Sequence, residues 1–133
     1  MEEALNRAPS DMNQGINYKD WLAHPNNIML VEGEDIGLVV HNYPGVCTGH
    51  WFYKSRGRDA LRCGERMIDH LFDKYGMKTI RGITRVDLKA ARWAARQVGF
   101  TSYGILEMDD GEYELFCLTK DEFYKHLNKG ENN

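Results

Sequence analysis

One stretch, residues 47–100, constrains the fold more than any other part of the sequence. It opens with the strand-like run CTGHWFY, passes through a basic glycine loop, and then carries apolar residues at helical spacing up to Tyr75. Gly76 follows, as is typical of a helix C-terminus, and the run TIRGIT at residues 79–84 predicts a second strand. The stretch is therefore a βαβ unit, so its two strands are predicted to be parallel with a right-handed crossover.

The loop between the first strand and the helix, KSRGRD at residues 54–59, has the composition of a phosphate site. The first N–H groups of a helix have no partner within it, and the helix dipole makes that end electropositive. Gly57 would let a ligand approach closely, while Arg56 and Arg58 add positive charge. The loop predicts a phosphate or pyrophosphate ligand. The alternative, two solvated arginines beside a turn glycine, stays open on the sequence alone.

The order of these features resembles the GCN5-related N-acetyltransferase (GNAT) family. The resemblance is carried by the R-G-x-x-A turn at residues 56–60, the T-x-x-D pattern at 84–87 and the Q-V-G-F run at 97–100. The sequence is most similar to short acetyltransferase-like proteins of bacteriophages and prophages. The resemblance implies an α/β domain with the acyl-CoA N-acyltransferase fold: a mixed, mostly antiparallel sheet with flanking helices and a central splayed parallel pair, predicted at residues 46–53 and 78–84.

The resemblance also implies a cofactor, acetyl-coenzyme A (acetyl-CoA), and direct acetyl transfer to an amine of a small molecule or a protein. Backbone amides at residues 56–60 would bind the pyrophosphate, and those at 51–53 would hold the pantetheine arm and polarise the thioester carbonyl. Asp87 stands where the family commonly opens the second helix with asparagine, and its side chain is predicted to cap that helix. The implied cofactor-binding residues are Trp51, Phe52, Tyr53, Arg56, Gly57, Arg58, Asp59, Ala60 and Asp87.

His50, in the strand before the loop, is the candidate catalytic base. Acetyl transfer needs a group that removes a proton from the ammonium, and a histidine titrates in the right range. The alternative is a strand histidine that is hydrogen-bonded in or near the core. Glu32, Glu107 and Glu114 are weaker candidates for the base. The neighbouring Gly49 predicts a bulge or a close backbone approach in mid-strand.

Three departures from the family pattern keep a second hypothesis open. Asp59 stands at the second glycine or alanine position of the turn, Leu88 follows Asp87, and Ala95 replaces the tyrosine that protonates the leaving thiolate in many members. They favour a non-catalytic protein of the same fold, associated with a phage virion through head assembly or acting in host interaction. Whether the chain is an enzyme therefore stays open at this point.

The tyrosines and the basic stripe of the second helix each have two interpretations. Tyr103 and Tyr113 could replace the missing acid, although packing on the sheet is the favoured role. Lys89, Arg92 and Arg96 recur near helical spacing, as a solvated stripe or, alternatively, as contacts to the 3′-phosphate or adenine of the cofactor.

Composition excludes other classes of function. The chain has 133 residues, enough for one domain, and its net charge of −3 provides no basic field for nucleic acid. No apolar run approaches the roughly 20 residues of a membrane span, and the N-terminus does not read as a signal peptide, so a cytoplasmic location in a bacterial host is expected. The three cysteines are far apart, and the histidines show no ligand spacing, so neither a disulfide nor a metal is predicted.

The remaining segments complete the predicted architecture. Residues 1–26 are predicted to form an N-terminal arm with a short helix, and residues 27–133 the GNAT-like domain. Further strands are predicted at 28–32, 36–40, 100–108 and 112–118. A final helix is predicted over 119–129, opened by a capping box of Thr119 and Glu122. Pairing through an exposed sheet edge would allow a homo-oligomer.

Overall fold

The computed structural model describes residues 23–131, with side chains to residue 129. Residues 1–22 of the predicted arm, with most of its expected short helix, lie outside this range. The described elements are β1 (Asn27–Glu32), β2 (Asp35–Tyr43), β3 (Val46–Phe52), α1 (Arg58–Asp73), β4 (Thr79–Arg85), α2 (Lys89–Val98), β5 (Thr101–Met108), β6 (Gly111–Thr119) and α3 (Lys120–Glu131). Every strand and helix predicted in this range is present, although β2 runs on to Tyr43, past its predicted end at residue 40. None of the described helices is long and apolar enough to cross a bilayer.

The described strands form one six-stranded sheet in the order β1-β2-β3-β4-β6-β5. β3 and β4 pair in parallel, and every other neighbouring pair of the described strands is antiparallel. The predicted mixed, mostly antiparallel sheet with a central parallel pair is therefore confirmed.

The described helices pack against one face of the sheet, which we call the helix face. Its strand residues in the core are Leu30, Val39, Cys47, Ile80 and Leu118. They are joined by Cys63, Met67, Ile68, Leu71 and Phe72 of α1, Val98 of α2 and Phe123 of α3. Because side chains alternate along a strand, His50, Thr48 and Arg81 point to the opposite face, which we call the His50 face.

Helix α2 begins one residue later than predicted. Leu88 occupies the N-cap position with φ −87° and ψ 75°, and no side chain caps the helix. The prediction of Asp87 as the cap was wrong, because its carboxylate is instead held toward the preceding strand by Arg85, at 3.4 Å from Nε.

Helix α3 begins with the predicted capping box. The N–H of Glu122 donates to Oγ1 of Thr119 at 3.2 Å, and the N–H of Thr119 donates to Oε1 of Glu122 at 3.0 Å. The reciprocal pair satisfies two N–H groups at the helix start, so this local prediction is confirmed.

Candidate cofactor cleft and acceptor face

The parallel strands stay paired over a short stretch and then separate. Their register pairs are Val46 with Thr79, Cys47 with Ile80, and Thr48 with Arg81. β3 continues to Phe52 and β4 to Arg85 without further pairing between them. We call the space between residues 49–52 and 82–85 the cleft. Its edges expose backbone groups that lack a strand partner there, as the predicted splay requires.

The indole of Trp51 covers the narrow end of the cleft on the helix face. A Cβ atom on Gly49 would lie 2.2 Å from Cη2 of Trp51, so the ring lies directly on this glycine. Trp51 also packs edge-on against Phe100, with ring centroids 6.4 Å apart. The close approach predicted at Gly49 is therefore made by a ring rather than by backbone. The predicted bulge is absent there, since Gly49 pairs in register with Val39 and the irregularity of β2 and β3 lies between His41 and Tyr43.

The loop after β3 delivers the N-terminus of α1 beside the cleft. Gly57 is the N-cap residue with φ 59°, a left-handed conformation that favours glycine. The first helical hydrogen bond runs from the N–H of Leu61 to the C=O of Gly57 at 3.2 Å, so the amides of residues 58–60 precede the hydrogen-bonded turns. Apart from Gly57 and its two chain neighbours, no residue has an atom within 4 Å of the position that a Cβ on Gly57 would take, so this side of the loop is open. The residues present fit a phosphate group.

Asp35 of β2 fixes the start of this loop. Its Oδ1 accepts the N–H of Lys54 at 2.7 Å and the N–H of Ser55 at 3.0 Å, while Oδ2 accepts the hydroxyl of Ser55. Asp35 is buried, and its pKa is lowered because these hydrogen bonds outweigh the opposing effect of burial. Two loop amides are thus bound by the carboxylate, and those from Arg56 onward are left for a ligand.

A cavity of about 340 Å³ lies beside the loop. It is lined by Glu32, Asp35, Ser55, Asp59, Arg62, Cys63 and Arg66. Arg66 donates to both oxygens of Glu32, at 2.7 and 2.6 Å, and this pairing lowers the pKa of Glu32 to about 2. Glu32 is therefore an ion-pair partner, and its low pKa makes it a poor base.

His50 lies in β3 two residues after Thr48, at the level where the cleft begins. It pairs in register with Leu38, a buried residue, and is itself half-buried. Loss of solvation lowers the pKa of His50 below its usual 6.5, which favours the neutral imidazole that can accept a proton. No hydrogen bond to its ring is made by the residues that the structure describes, so the alternative of a hydrogen-bonded core histidine gains no support.

Glu114 lies on the helix face and is only 2% exposed. Arg92 donates to it at 2.7 Å, and Arg96 makes a second, shorter contact. The interpretation of Arg92 and Arg96 as a solvated stripe was wrong, because both guanidinium groups bind this buried carboxylate. The same pairing occupies Glu114 and removes it as a candidate base, while Glu107 lies on β5, which is exposed throughout.

The two tyrosines considered as replacement acids lie on the hairpin of β5 and β6. Tyr103 is 66% exposed, so it does not pack in the core. Tyr113 pairs in register with Arg85, and its hydroxyl donates to Asp110 at 2.7 Å. Asp110 lies in the turn of the same hairpin, so the Tyr113 hydroxyl is bound locally.

The fold defines the class of protein to which this chain is similar. It matches solved structures with the GNAT acetyltransferase fold, among them Mycobacterium smegmatis RimJ in complex with CoA-disulfide, with a TM-score of 0.68 and 16% identity over 92% of this chain and 68% of that chain. The aminoglycoside acetyltransferase AAC(6′)-Ib in complex with coenzyme A gives 0.64 and 15% over 78% and 72%. A mutant of the spermidine N-acetyltransferase SpeG from Vibrio cholerae gives 0.68 and 13% over 91% and 77%.

At these identities the likeness establishes the fold and nothing finer. No protein-family model matches the sequence, and no curated protein matches it either. The comparisons give no support to a relation with bacteriophage proteins or to a role in virion assembly.

Sequence reasoning missed Asp35 as a residue of the site. It follows Glu34 in the acidic stretch after β1, and its partners lie 19 and 20 residues further along the chain. No local pattern marks such a contact. Only the antiparallel pairing of Ile36 with Phe52 brings the start of β2 to the end of β3.

Proposed function

We propose that this protein is an acetyl-CoA-dependent N-acyltransferase that moves an acetyl group directly to an amine. One observation carries the proposal. In a sheet with the acetyltransferase fold, a single short segment connects the point where β3 separates from β4, after Thr48, to the open N-terminus of α1 at Gly57. A strand edge followed by a phosphate cradle suits an elongated ligand with an amide-bearing arm and a pyrophosphate.

The chain's residues divide between the parts of the cofactor. Backbone amides at Arg56, Gly57, Arg58, Asp59 and Ala60 bind the pyrophosphate, with the α1 dipole adding attraction. Of the backbone groups of Trp51, Phe52 and Tyr53, those that face the cleft hold the pantetheine arm along the free edge of β3. Asp87, exposed beyond the end of β4, remains a proposed contact at the cleft mouth.

His50 removes the proton from the acceptor ammonium, directly or through water, so that the amine lone pair becomes available. When bound, acetyl-CoA supplies the acetyl group as a thioester, whose C–S bond breaks as the C–N bond to the amine forms. Because Ala95 provides no acid, His50 also donates the proton it has taken to the leaving thiolate. The second proton lost by the amine nitrogen goes to solvent, so the products are the acetylated amine, the free thiol and one proton.

Calorimetric titration with acetyl-CoA tests the cofactor site. We expect micromolar binding by the wild type. Arg58→Glu should weaken it by about tenfold or more, because the reversed charge lies in the first turn of α1. Arg62→Glu is the matched control, since Arg62 is exposed one turn further along α1 and lines the neighbouring cavity. Absence of binding at millimolar acetyl-CoA would overturn the proposal. Equal weakening of binding by Arg58→Glu and Arg62→Glu would indicate that the phosphate does not bind at the loop.

A further inference from the structure

We propose that the amine substrate carries a carboxylate and that Arg81 binds it. The inference rests on the proposed acetyl transfer and adds a substrate class to it. Arg81 belongs to β4, on the His50 face, and pairs in register with Thr48 of β3 at the last level before the cleft. His50 follows Thr48 at the next position on the same face. The guanidinium and the proposed base are therefore on one surface.

The contacts of Arg81 leave its charge available to a ligand. One Nη2–H donates to Oδ1 of Asn42 at 3.2 Å, and the guanidinium lies over the ring of Tyr43 at 5.5 Å from its centroid. Thr48 also donates to Oδ1 of Asn42, at 2.7 Å. The amide oxygen of Asn42 thus accepts two hydrogen bonds, and none of the carboxylates in the described residues pairs with the remaining N–H groups of Arg81.

Arg81 differs in this respect from four other arginines of the sheet and its helices. Arg66 pairs with Glu32, Arg85 with Asp87, and both Arg92 and Arg96 with Glu114. Among the described residues no carboxylate lies within ion-pair distance of Arg81. Its Nε–H is buried and has no hydrogen-bond partner there. A buried donor without a partner is unfavourable, and an anionic ligand that reaches the fork of the guanidinium would satisfy it.

The surrounding face favours an anion as well. Within β1, β2, β3, β4 and β6, the residues that alternate onto it are the odd positions of β1, β4 and β6 and the even positions of β2 and β3, and none of these is Asp or Glu. Asp87 and Asp110 lie beyond the strand ends and are already bound to Arg85 and Tyr113. Acetylation of a polyamine or an aminoglycoside, the substrates named for two of the structural neighbours, would call for acidic side chains. The described part of this surface instead presents an arginine without a carboxylate partner.

The strand spacing limits the shape of the substrate. Successive residues on one face of a strand are roughly 7 Å apart, so Arg81 and His50 are separated by about this distance along the strands. The guanidinium of Arg81 extends further, toward Asn42. A single α-amino acid is too short to place its amine and its carboxylate at both sites. The class that fits is a peptide of two or more residues, or another linear amino acid of similar length, with a free carboxylate.

Nuclear magnetic resonance of the Arg81 Nε–H tests the site without requiring turnover. The probes are N-acetyl-alanyl-alanine, a product mimic, and its C-terminal amide, each titrated into the CoA-loaded protein. We expect the acid to shift this resonance and to bind roughly 10- to 100-fold more tightly than the amide, the usual effect of a charge-assisted hydrogen bond. Arg81→Gln should abolish the preference, and Arg81→Lys should keep part of it. Arg85→Gln is the matched control, an arginine on the same strand and face that already has a carboxylate partner, and it should keep the preference.

The outcomes separate the two proposals. If CoA binds while the acid and the amide bind equally, or neither binds, the substrate class is wrong and the transferase proposal stands. If the acid is preferred while acetyl-CoA fails to bind, Arg81 is not part of an acetyl acceptor site and both proposals fall. If both hold, alanyl-alanine should be acetylated with a higher kcat/KM than its amide or spermidine, and Arg81→Gln should raise KM for alanyl-alanine by about tenfold with kcat nearly unchanged.

Discussion

Asp35 and Ser55 are joined by two hydrogen bonds across the β2–β3 hairpin. The N–H of Ser55 donates to Oδ1 of Asp35 at 3.0 Å, and its hydroxyl donates to Oδ2. Because Ser55 is followed directly by the proposed phosphate cradle, this pair connects the rigid sheet to the segment that must meet the cofactor.

The first prediction is that Asp35→Asn weakens acetyl-CoA binding by about tenfold and lowers the free energy of unfolding by about 1–3 kcal/mol, since a neutral amide replaces a carboxylate that accepts three bonds. Calorimetry and urea unfolding measure the two effects. Glu34→Gln is the control, because Glu34 pairs with the same loop through an exposed contact to Lys54 at 3.1 Å and should change either quantity little. Unchanged cofactor affinity in Asp35→Asn would show that the anchor serves stability alone.

The second prediction concerns acid stability. The pKa values of Glu32, Asp35 and Glu114 are all lowered in the folded state, that of Glu32 from 4.5 to about 2. A carboxyl group with a lowered pKa stabilises the fold above its unfolded pKa, and this contribution is lost as the pH falls through its folded pKa. The free energy of unfolding should therefore decrease steadily from about pH 5 to pH 2.

Glu114→Gln should reduce this slope and, at neutral pH, destabilise the protein by about 1–3 kcal/mol, because Arg92 and Arg96 lose their buried partner. Urea unfolding across the pH range measures both effects. Glu107→Gln, on the exposed strand β5, is the control. A slope that stays the same in Glu114→Gln would contradict the assignment.

The third prediction is that Gly49→Ala destabilises the protein by about 1–3 kcal/mol, because its Cβ would lie 2.2 Å from the rigid indole of Trp51. In a Trp51→Val background the ring is absent and the same substitution should have a much smaller effect. Gly82→Ala is the control, since the nearest atom to its Cβ would be the carbonyl oxygen of Gly49 at an ordinary 3.8 Å. Equal effects of Gly49→Ala in both backgrounds would show that the ring is not the obstacle.

The fourth prediction concerns the proposed base. Burial lowers the pKa of His50, so kcat/KM should rise with pH through an inflection below 6.5 and then level off in this range. His50→Gln should remove the inflection and lower kcat by about 100-fold or more, with the affinity for acetyl-CoA nearly unchanged. His70→Gln, an exposed histidine on α1, is the control. The same inflection in His50→Gln would assign it to another group.

Features that depend on neighbouring residues could be predicted from the sequence. The apolar stripe of α1, the terminal Gly76 and the capping box of Thr119 and Glu122 are each encoded within a few residues, and all are present. The parallel β3–β4 pair followed because two strands joined through a helix have few alternatives.

Contacts between distant residues could not be predicted in this way. Glu114 on β6 meets Arg92 and Arg96 on α2, which reads on its own as a charged surface stripe. Asp87 is a residue type that often caps helices, yet its carboxylate binds Arg85 instead. The partners of Glu114 come within reach only when α2 packs on the sheet, whereas Asp87 is bound by a residue two positions away.

The early end of the β3–β4 pairing gives β3 two kinds of amide. Alternate N–H groups of residues 49–52 face β2, whose pairing continues to Phe52, and the others face the cleft. In the free protein the first kind should exchange hydrogen with water only when the sheet opens, whereas the second should exchange through small local fluctuations. An interior strand of the sheet therefore has the exchange behaviour of an edge strand along one side, over the residues that face β4 across the cleft.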